Sequence, residues 1–342
     1  MSHPLPNRRS AVAALAAFAE LGSAGLLTAA MPAIAQERYP NKPLNLIIPF
    51  GPGAATDAVA RIVGEGLSRQ LGQQVLPVNR PGANGMIAIR SVQSAPTDGY
   101  NLLFLANGVI IEQVIRKNTN FDIRKDITPV ARVVQAPLGL FASNHLPVTS
   151  VAELVQYAKA NPGKINYASA GVGTIAHLTT ERLRLATGME LVHVPYPAGT
   201  APVLTALIQG DVGIFVNEMG SMRGHVADKR MKVLATLADQ RSPLYPDAPA
   251  VPDLGMPELR GIFAPFFFGI YVEPGTPADR VELLNAAINK TLAEPAVRER
   301  LVALGYNPAL IGGTTPAEFR RAVAEELGRV EATVREAKIQ VE

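Results

Sequence analysis

Short apolar runs alternate along this chain with longer stretches whose apolar residues fall on one helical face. Leu44–Phe50 (LNLIIPF) has the pattern of a buried strand, and Asp57–Leu71 that of a helix with Val59, Ile62, Val63 and Leu67 on one side. Val75–Asn79 predicts a second strand, and the turn Arg80 to Gly85 leads into a helix reaching about Ser94. After the turn Pro96-Thr97-Asp98-Gly99, Tyr100–Ala106 reads as a third strand. Further strands are predicted near 130–142, 165–169, 191–194, 212–216, 231–237 and 264–272. Helices are predicted over about 150–160, 174–186, 200–209, 277–293, 295–304 and 316–338. Alternating strands and helices joined by short Gly/Pro connections predict an α/β protein with mostly parallel sheets.

The first residues follow neither rhythm. Arg8-Arg9 gives a positive start, and Ala11 to Ala30 is rich in Ala and Leu with Glu20 as its one charge. Ala33-Ile34-Ala35 then offers a small-x-small cleavage site, so 1–35 reads as a secretory signal peptide cut near Ala35. A membrane anchor would need about 20 apolar residues without an internal acid or Gly and Pro breaks. The paired arginines leave both the general and the twin-arginine export route open. The mature protein is expected to be exported.

Composition narrows the function classes. A chain of 342 residues suggests two domains at ~100–200 residues each. Lys and Arg number 32 against 29 Asp and Glu, a scattered balance of +3 that does not suit a nucleic-acid surface. With no cysteine, disulfides, thiolate metal sites, iron–sulfur clusters, a thiol nucleophile and a lipoprotein anchor are excluded.

Three loops share one design. Gly51-Pro52-Gly53-Ala54-Ala55-Thr56-Asp57 joins a predicted strand to a helix, and so does Ser169-Ala170-Gly171-Val172-Gly173-Thr174. Pro195-Tyr196-Pro197-Ala198-Gly199-Thr200-Ala201-Pro202 repeats the arrangement. Small residues let backbone approach a ligand, and the unpaired N–H groups of a helix start attract an anion. The dinucleotide fingerprint is not met, since Thr56 stands where its third Gly or Ala belongs and no acid closes the second strand. A phosphate loop and a Gly-x-Ser-x-Gly elbow are both missing. None of His145, His177, His193 and His225 has a histidine at i+4, so no metal is expected. His177 is expected to pack beneath the second loop and His193 in the core, with a cleft-facing His177 as the alternative. Phe266-Phe267-Phe268 reads as a buried crossing strand, one of whose rings could wall a pocket. No acid/base pair emerges, and neither a catalytic residue nor a cofactor is expected.

At these loops the sequence resembles the substrate-binding proteins of tripartite tricarboxylate transporters, also called the Bug family. Pro49-Phe50-Gly51-Pro52-Gly53-Ala54-Ala55-Thr56-Asp57 with Ala60-Arg61 resembles the family's opening motif. Asn79-Arg80-Pro81-Gly82-Ala83-Asn84-Gly85, Pro96-Thr97-Asp98-Gly99-Tyr100 and Tyr167 to Leu178 follow in the family's order. So do His193-Val194-Pro195-Tyr196, Arg241 with Pro246-Asp247-Ala248-Pro249, and Pro274-Gly275-Thr276-Pro277. The match extends over 38–342.

The resemblance implies a two-lobed α/β fold of the type II periplasmic-binding-protein kind, closing on a small carboxylate held in the cleft. It further implies delivery of that ligand to the membrane subunits of a tripartite tricarboxylate-type transporter, or occupancy signalled to a sensor. By correspondence the ligand-binding positions are Gly53, Ala54, Thr56 and Asp57 in loop one and Ser169, Gly171, Gly173 and Thr174 in loop two. Tyr196 and Asn217 would line the other lobe. Asp57, an acid at a helix start, is expected to order its loop more than to touch an anion. Three departures bear on the ligand: Ala54 where the family has a second Gly, Pro197-Ala198-Gly199 where it has Lys-Gly, and Phe near 267–268 where it has Trp. A dicarboxylate and an aromatic carboxylate both remain candidates, and an exported carboxylate enzyme is the alternative of another class. The expected organisation is a monomer with lobe one at 36–138 plus 262–342 and lobe two at 139–261, or with the return crossing at Met231–Ala238 instead.

Overall fold

The computed structural model describes residues 39–116, 120–196, 199–263 and 266–339; the proposed signal peptide, 1–35, lies outside them. β1 (Leu44–Ile48) is followed by α1 (Ala55–Leu71), β2 (Val75–Asn79), α2 (Met86–Gln93) and β3 (Asn101–Ala106). Both β2 and β3 pair with β1 in parallel. Leu44, Leu46 and Ile48 are fully buried, the apolar run expected of a strand covered on both faces. α1 stops where Gly72 takes a left-handed conformation (φ 64°).

α3 (Gly108–Ile115) was not legible as a helix. Its sequence GVIIEQVI is dominated by β-branched residues, which favour strands in isolation. Burial of Val109, Ile110, Ile111 and Ile115 in the first lobe's core overrides that preference.

The single strand expected over 130–142 is two. β4 (Thr128–Ala136) belongs to the first sheet and β5 (Leu138–Ser143) to a second, with Pro137 between them. Proline has no N–H for the ladder and fixes its own φ, so the pairing must break there. The second sheet is completed by β6 (Ile165–Ser169), β7 (Leu191–Pro195), β8 (Ile214–Glu218) and β9 (Met231–Leu237), in the order β7-β6-β8-β5-β9. Met231–Leu237 is therefore a strand inside this sheet. α4 (Val151–Ala160), α5 (Ile175–Thr187), α6 (Thr200–Gln209) and the short α7 (Arg223–Ala227) lie between these strands. The chain then returns through 238–263, and β10 (Phe266–Val272) inserts between β3 and β4 to give the order β2-β1-β3-β10-β4. α8 (Ala278–Ala293), α9 (Pro295–Ala303) and α10 (Pro316–Glu336) complete the described chain.

The sheets are mixed, not mostly parallel. β5 runs against β8 and β9, and β10 against β3 and β4. Both reversed strands come directly from a crossing. A chain leaving one sheet at the carboxyl end of its strands meets the facing sheet at its carboxyl end, and has to run backwards through it. The same geometry turns the carboxyl ends of the parallel strands, with the loops that follow them, toward a common cleft.

The lobes are also tied away from the cleft. α10 opens with a capping box, in which Thr315 Oγ1 accepts from the Glu318 amide and Glu318 accepts from the Thr315 amide. It buries Phe319, Val323, Leu327 and Val330 in a cluster that Leu178 of α5 also joins. Phe319 packs where β10 carries Gly269; a Cβ there would run into the Phe319 ring. Arg182 of α5 donates to Thr333 Oγ1 (2.9 Å) and Glu326 Oε1 (3.3 Å), and Arg329 Nε donates to the other Glu326 oxygen (2.9 Å).

Candidate functional site

Loop one is organised by Asp57. Its buried carboxylate accepts from the Gly53 amide (3.0 Å), Arg61 Nε (2.8 Å) and Asn79 Nδ2 (2.8 Å). The Arg61 hydrogen bond, outweighing burial, pulls the Asp57 pKa down to about 2. Asn79 Nδ2 also donates to Phe50 O, so the end of β2 fixes the start of the loop. Gly53 allows the turn with φ +86°. Gly53 and Ala54 spend their amides within the loop, on Asp57 and on Gly51 O. At the first turn of α1 the amides of Thr56 and Asp57 have no protein acceptor among the described residues, as helix starts require. The Thr56 side chain is buried.

Loop two rests on a stack of rings. Tyr167, His193 and His177 lie face to face, the two imidazoles with centroids 4.0 Å apart and planes 6° from parallel. His177 Nδ1 accepts from the Gly173 amide at 2.9 Å, which puts the proton of the neutral ring on Nε2. Burial, reinforced by His193, pushes the His177 pKa down to about 4. Ser169 Oγ donates to Gly171 O (2.8 Å), accepts from the Gly171 amide (3.1 Å) and sits 2.7 Å from His193 Nε2. With the hydroxyl proton on Gly171 O, the His193 Nε2–H is the donor of that pair. Burial lowers the His193 pKa as well. Behind the stack, Tyr167 donates to Glu181 (2.6 Å), which also receives two bonds from Arg184. The amides of Val172, Ile175 and Ala176 remain without a protein acceptor among the described residues.

Between the lobes lies a cavity of about 530 Å³. Pro49, Phe50, Leu105, Val109, Ile111, Glu112, Arg116 and Phe266 line it from the first lobe, and the stretch Ala170 to Ile175 from the second. Of the sequence-derived candidates, Gly171, Gly173 and Thr174 reach this wall. Gly53, Ala54, Thr56 and Asp57 follow directly on Phe50, although the lining itself stops at Phe50. Ser169 is wholly buried beneath loop two. Tyr196 packs against the second lobe's core, its amide on Ser169 O, and Asn217 bonds Ser221 and Met222; neither lines the cavity. Residues 197–198 of the third loop lie outside the described residues. Phe267 and Phe268 are buried in β10, and Phe266 lines the cavity.

The structure adds Glu112 on α3 and Arg116 just past its end, with Arg116 Nε donating to Glu112 Oε2 at 2.7 Å. Their i, i+4 spacing after Asn107-Gly108 was the available signal. A smaller cavity, about 200 Å³, sits between the two crossings, against Pro137, Ala238 and Phe263. Among the described residues no group of His, Asp and Glu side chains could hold a metal.

Two α/β lobes linked by crossing strands, with helix starts from each lobe facing one cleft, define a periplasmic-binding-protein fold. The chain belongs to the tripartite tricarboxylate transporter family receptors, whose family model matches residues 59–339. Members are substrate-binding receptors, not enzymes. Protein BugT of Bordetella pertussis is 32% identical over 305 residues, covering 89% of this chain and 91% of that one. Among solved structures, Rpa4515 of R. palustris with adipate is 30% identical with a TM-score of 0.73, covering 88% of this chain and 99% of its own. The periplasmic binding protein BugD is 28% identical with a TM-score of 0.69, covering 88% and 99%.

Proposed function

We propose that the protein captures a small carboxylate, a dicarboxylate or an aromatic carboxylate, by closing its lobes on it in the periplasm. It then presents the ligand to the membrane subunits of a tripartite tricarboxylate-type transporter. One observation carries this reading: first-turn amides of α5 without a protein acceptor border the cleft from the second lobe, and the loop that leads from Phe50 on the opposite wall to the free first-turn amides of α1 faces them from the first. A carboxylate held by both is bound better in the closed state than in the open one, and that difference is what drives closure. Family membership and the adipate bound by Rpa4515 support the carboxylate.

In this reading the anion meets the amides of Thr56, Asp57, Val172 and Ile175, with the Thr174 hydroxyl alongside. Gly53, Ala54, Ser169, Gly171 and Gly173 shape the two loops. Tyr196 and Asn217 support the second lobe's edge of the site. Lobe one, 36–138 plus 262–342, and lobe two, 139–261, would turn about Pro137 and the returning segment.

A thermal-shift screen against dicarboxylates, tricarboxylates, amino acids and aromatic carboxylates tests the proposal. A ligand at 100 times its Kd adds ~2.7 kcal/mol, worth roughly 5 °C or more in Tm for a chain of this size. A shift confined to carboxylates supports the reading. No shift with any anion, in protein first unfolded and refolded to strip bound ligand, would refute it.

A further inference from the structure

The charges and apolar side chains of the cleft point to a ligand class. Glu112 and Arg116 are the charged residues among its described lining, and they are engaged with each other. Phe50, Leu105, Val109, Ile111 and Phe266 form an apolar stretch of the first-lobe wall. Phe50, on the first lobe, is 41% exposed and Val172, on the second, 55%. A molecule that covered both side chains would take apolar surface on each side of the cavity out of water.

We propose that the cleft takes a monocarboxylate carried on an alkyl or aryl body, and that Glu112 turns away a second carboxylate. This rests on the carboxylate-binding reading above. One carboxylate is satisfied by backbone amides at the helix starts, without a formal countercharge. A second would have to shed its water against Phe50, Ile111 and Phe266, at the wall where Glu112 repels it. Arg116 offers little relief: its Nε is committed to Glu112, and at 57% side-chain exposure solvent screens its charge. An apolar body instead covers Phe50 and Val172 as the lobes close. Specificity here includes a repulsive element beside the attractive one.

Isothermal titration of the full chain with hexanoate, adipate and phenylacetate tests this, because hexanoate and adipate share a carbon count and differ by one carboxylate. Hexanoate and phenylacetate are expected to bind about tenfold or more tighter than adipate. Glu112→Gln should tighten adipate relative to hexanoate by about fivefold. Phe50→Ala should weaken phenylacetate by about fivefold. The inference is overturned if wild-type protein binds adipate as tightly as hexanoate, or if a Glu112→Gln variant with unchanged Tm leaves the ratio where it was. If none of the three acids binds, this inference falls, and the thermal-shift screen above decides the carboxylate reading separately.

Discussion

Replacing Glu273 with glutamine should make the protein more stable above neutral pH and change little in acid. Glu273 follows β10 at the end of the first lobe away from the cleft and is fully buried. Its Oε2 accepts from Thr276 Oγ1 at 3.3 Å, and its Oε1 has no hydrogen-bond partner among the described residues. Burial pushes its pKa up from 4.5 to about 7, against the pull of nearby donors such as Thr276. Each pKa unit is worth 1.36 kcal/mol, so the full effect is roughly 3 kcal/mol. Between about pH 4.5 and 7 the folded protein keeps this proton and the unfolded chain has lost it. Stability from this group therefore falls as pH rises through that window and levels off above 7. Glutamine holds the neutral shape at every pH. The difference in unfolding free energy between Glu273→Gln and wild type should accordingly grow by about 2.5 kcal/mol from pH 5 to pH 8. Urea melts of both proteins at each pH measure it. The difference matters more than either curve alone, because His177 titrates in an overlapping range with the opposite sign. A difference that stays flat from pH 5 to 8 would refute the idea that this carboxyl is folded away protonated.

Three further outcomes are expected. The neutral His177 contributes stability that is complete above about pH 6.5 and is lost as pH falls toward 4, so His177→Gln should flatten the acid limb of the stability curve by up to about 3 kcal/mol. Gly173→Ala places a Cβ at φ +76° against the Ile115 side chain of the other lobe. It should cost about 1–2 kcal/mol in a urea melt and weaken ligand binding, with partial recovery in the double variant carrying Ile115→Ala. Arg182→Leu leaves the buried Glu326 Oε1 without its donor while Arg329 still holds Oε2, and should cost about 1–3 kcal/mol, whereas Arg182→Leu with Glu326→Leu should lie closer to wild type; a loss in the double variant equal to that of the single would count against the pairing.

What the sequence made legible followed from local rules. β1, α1 and the Gly53 turn are written in consecutive residues, as an apolar run, a helical face and small residues where the backbone turns. So is the helix start after Gly173. The elements that were missed depend on distant partners. α3 is a helix because the first lobe's core receives Val109, Ile110 and Ile115, and its own β-branched residues argue the other way. The break at Pro137 is local, but the fact that the two halves join different sheets is not. The composition of loop two shows its small residues but not that the Gly171 and Gly173 amides are held by Ser169 and by His177, a ring one turn along the helix. Glu112 and Arg116 could be paired from their spacing, but their place on the cavity wall is set only by how α3 packs.

The insertion of β10 between β3 and β4 constrains the order in which the molecule can assemble. The first sheet has a gap until the chain beyond the second lobe arrives, because β10 pairs Phe268 with Ala106 and with Val134. β5 to β9, by contrast, form one uninterrupted stretch and can close their own sheet as soon as they emerge. Contacts between distant segments are slow to form. The second lobe should therefore gain protection from hydrogen exchange before the first, and a chain truncated before Phe266 should fold only its middle. Until the last quarter of the sequence is present, half of the binding cleft has no rigid wall, so ligand cannot act as a template for early folding and can stabilise only the finished protein.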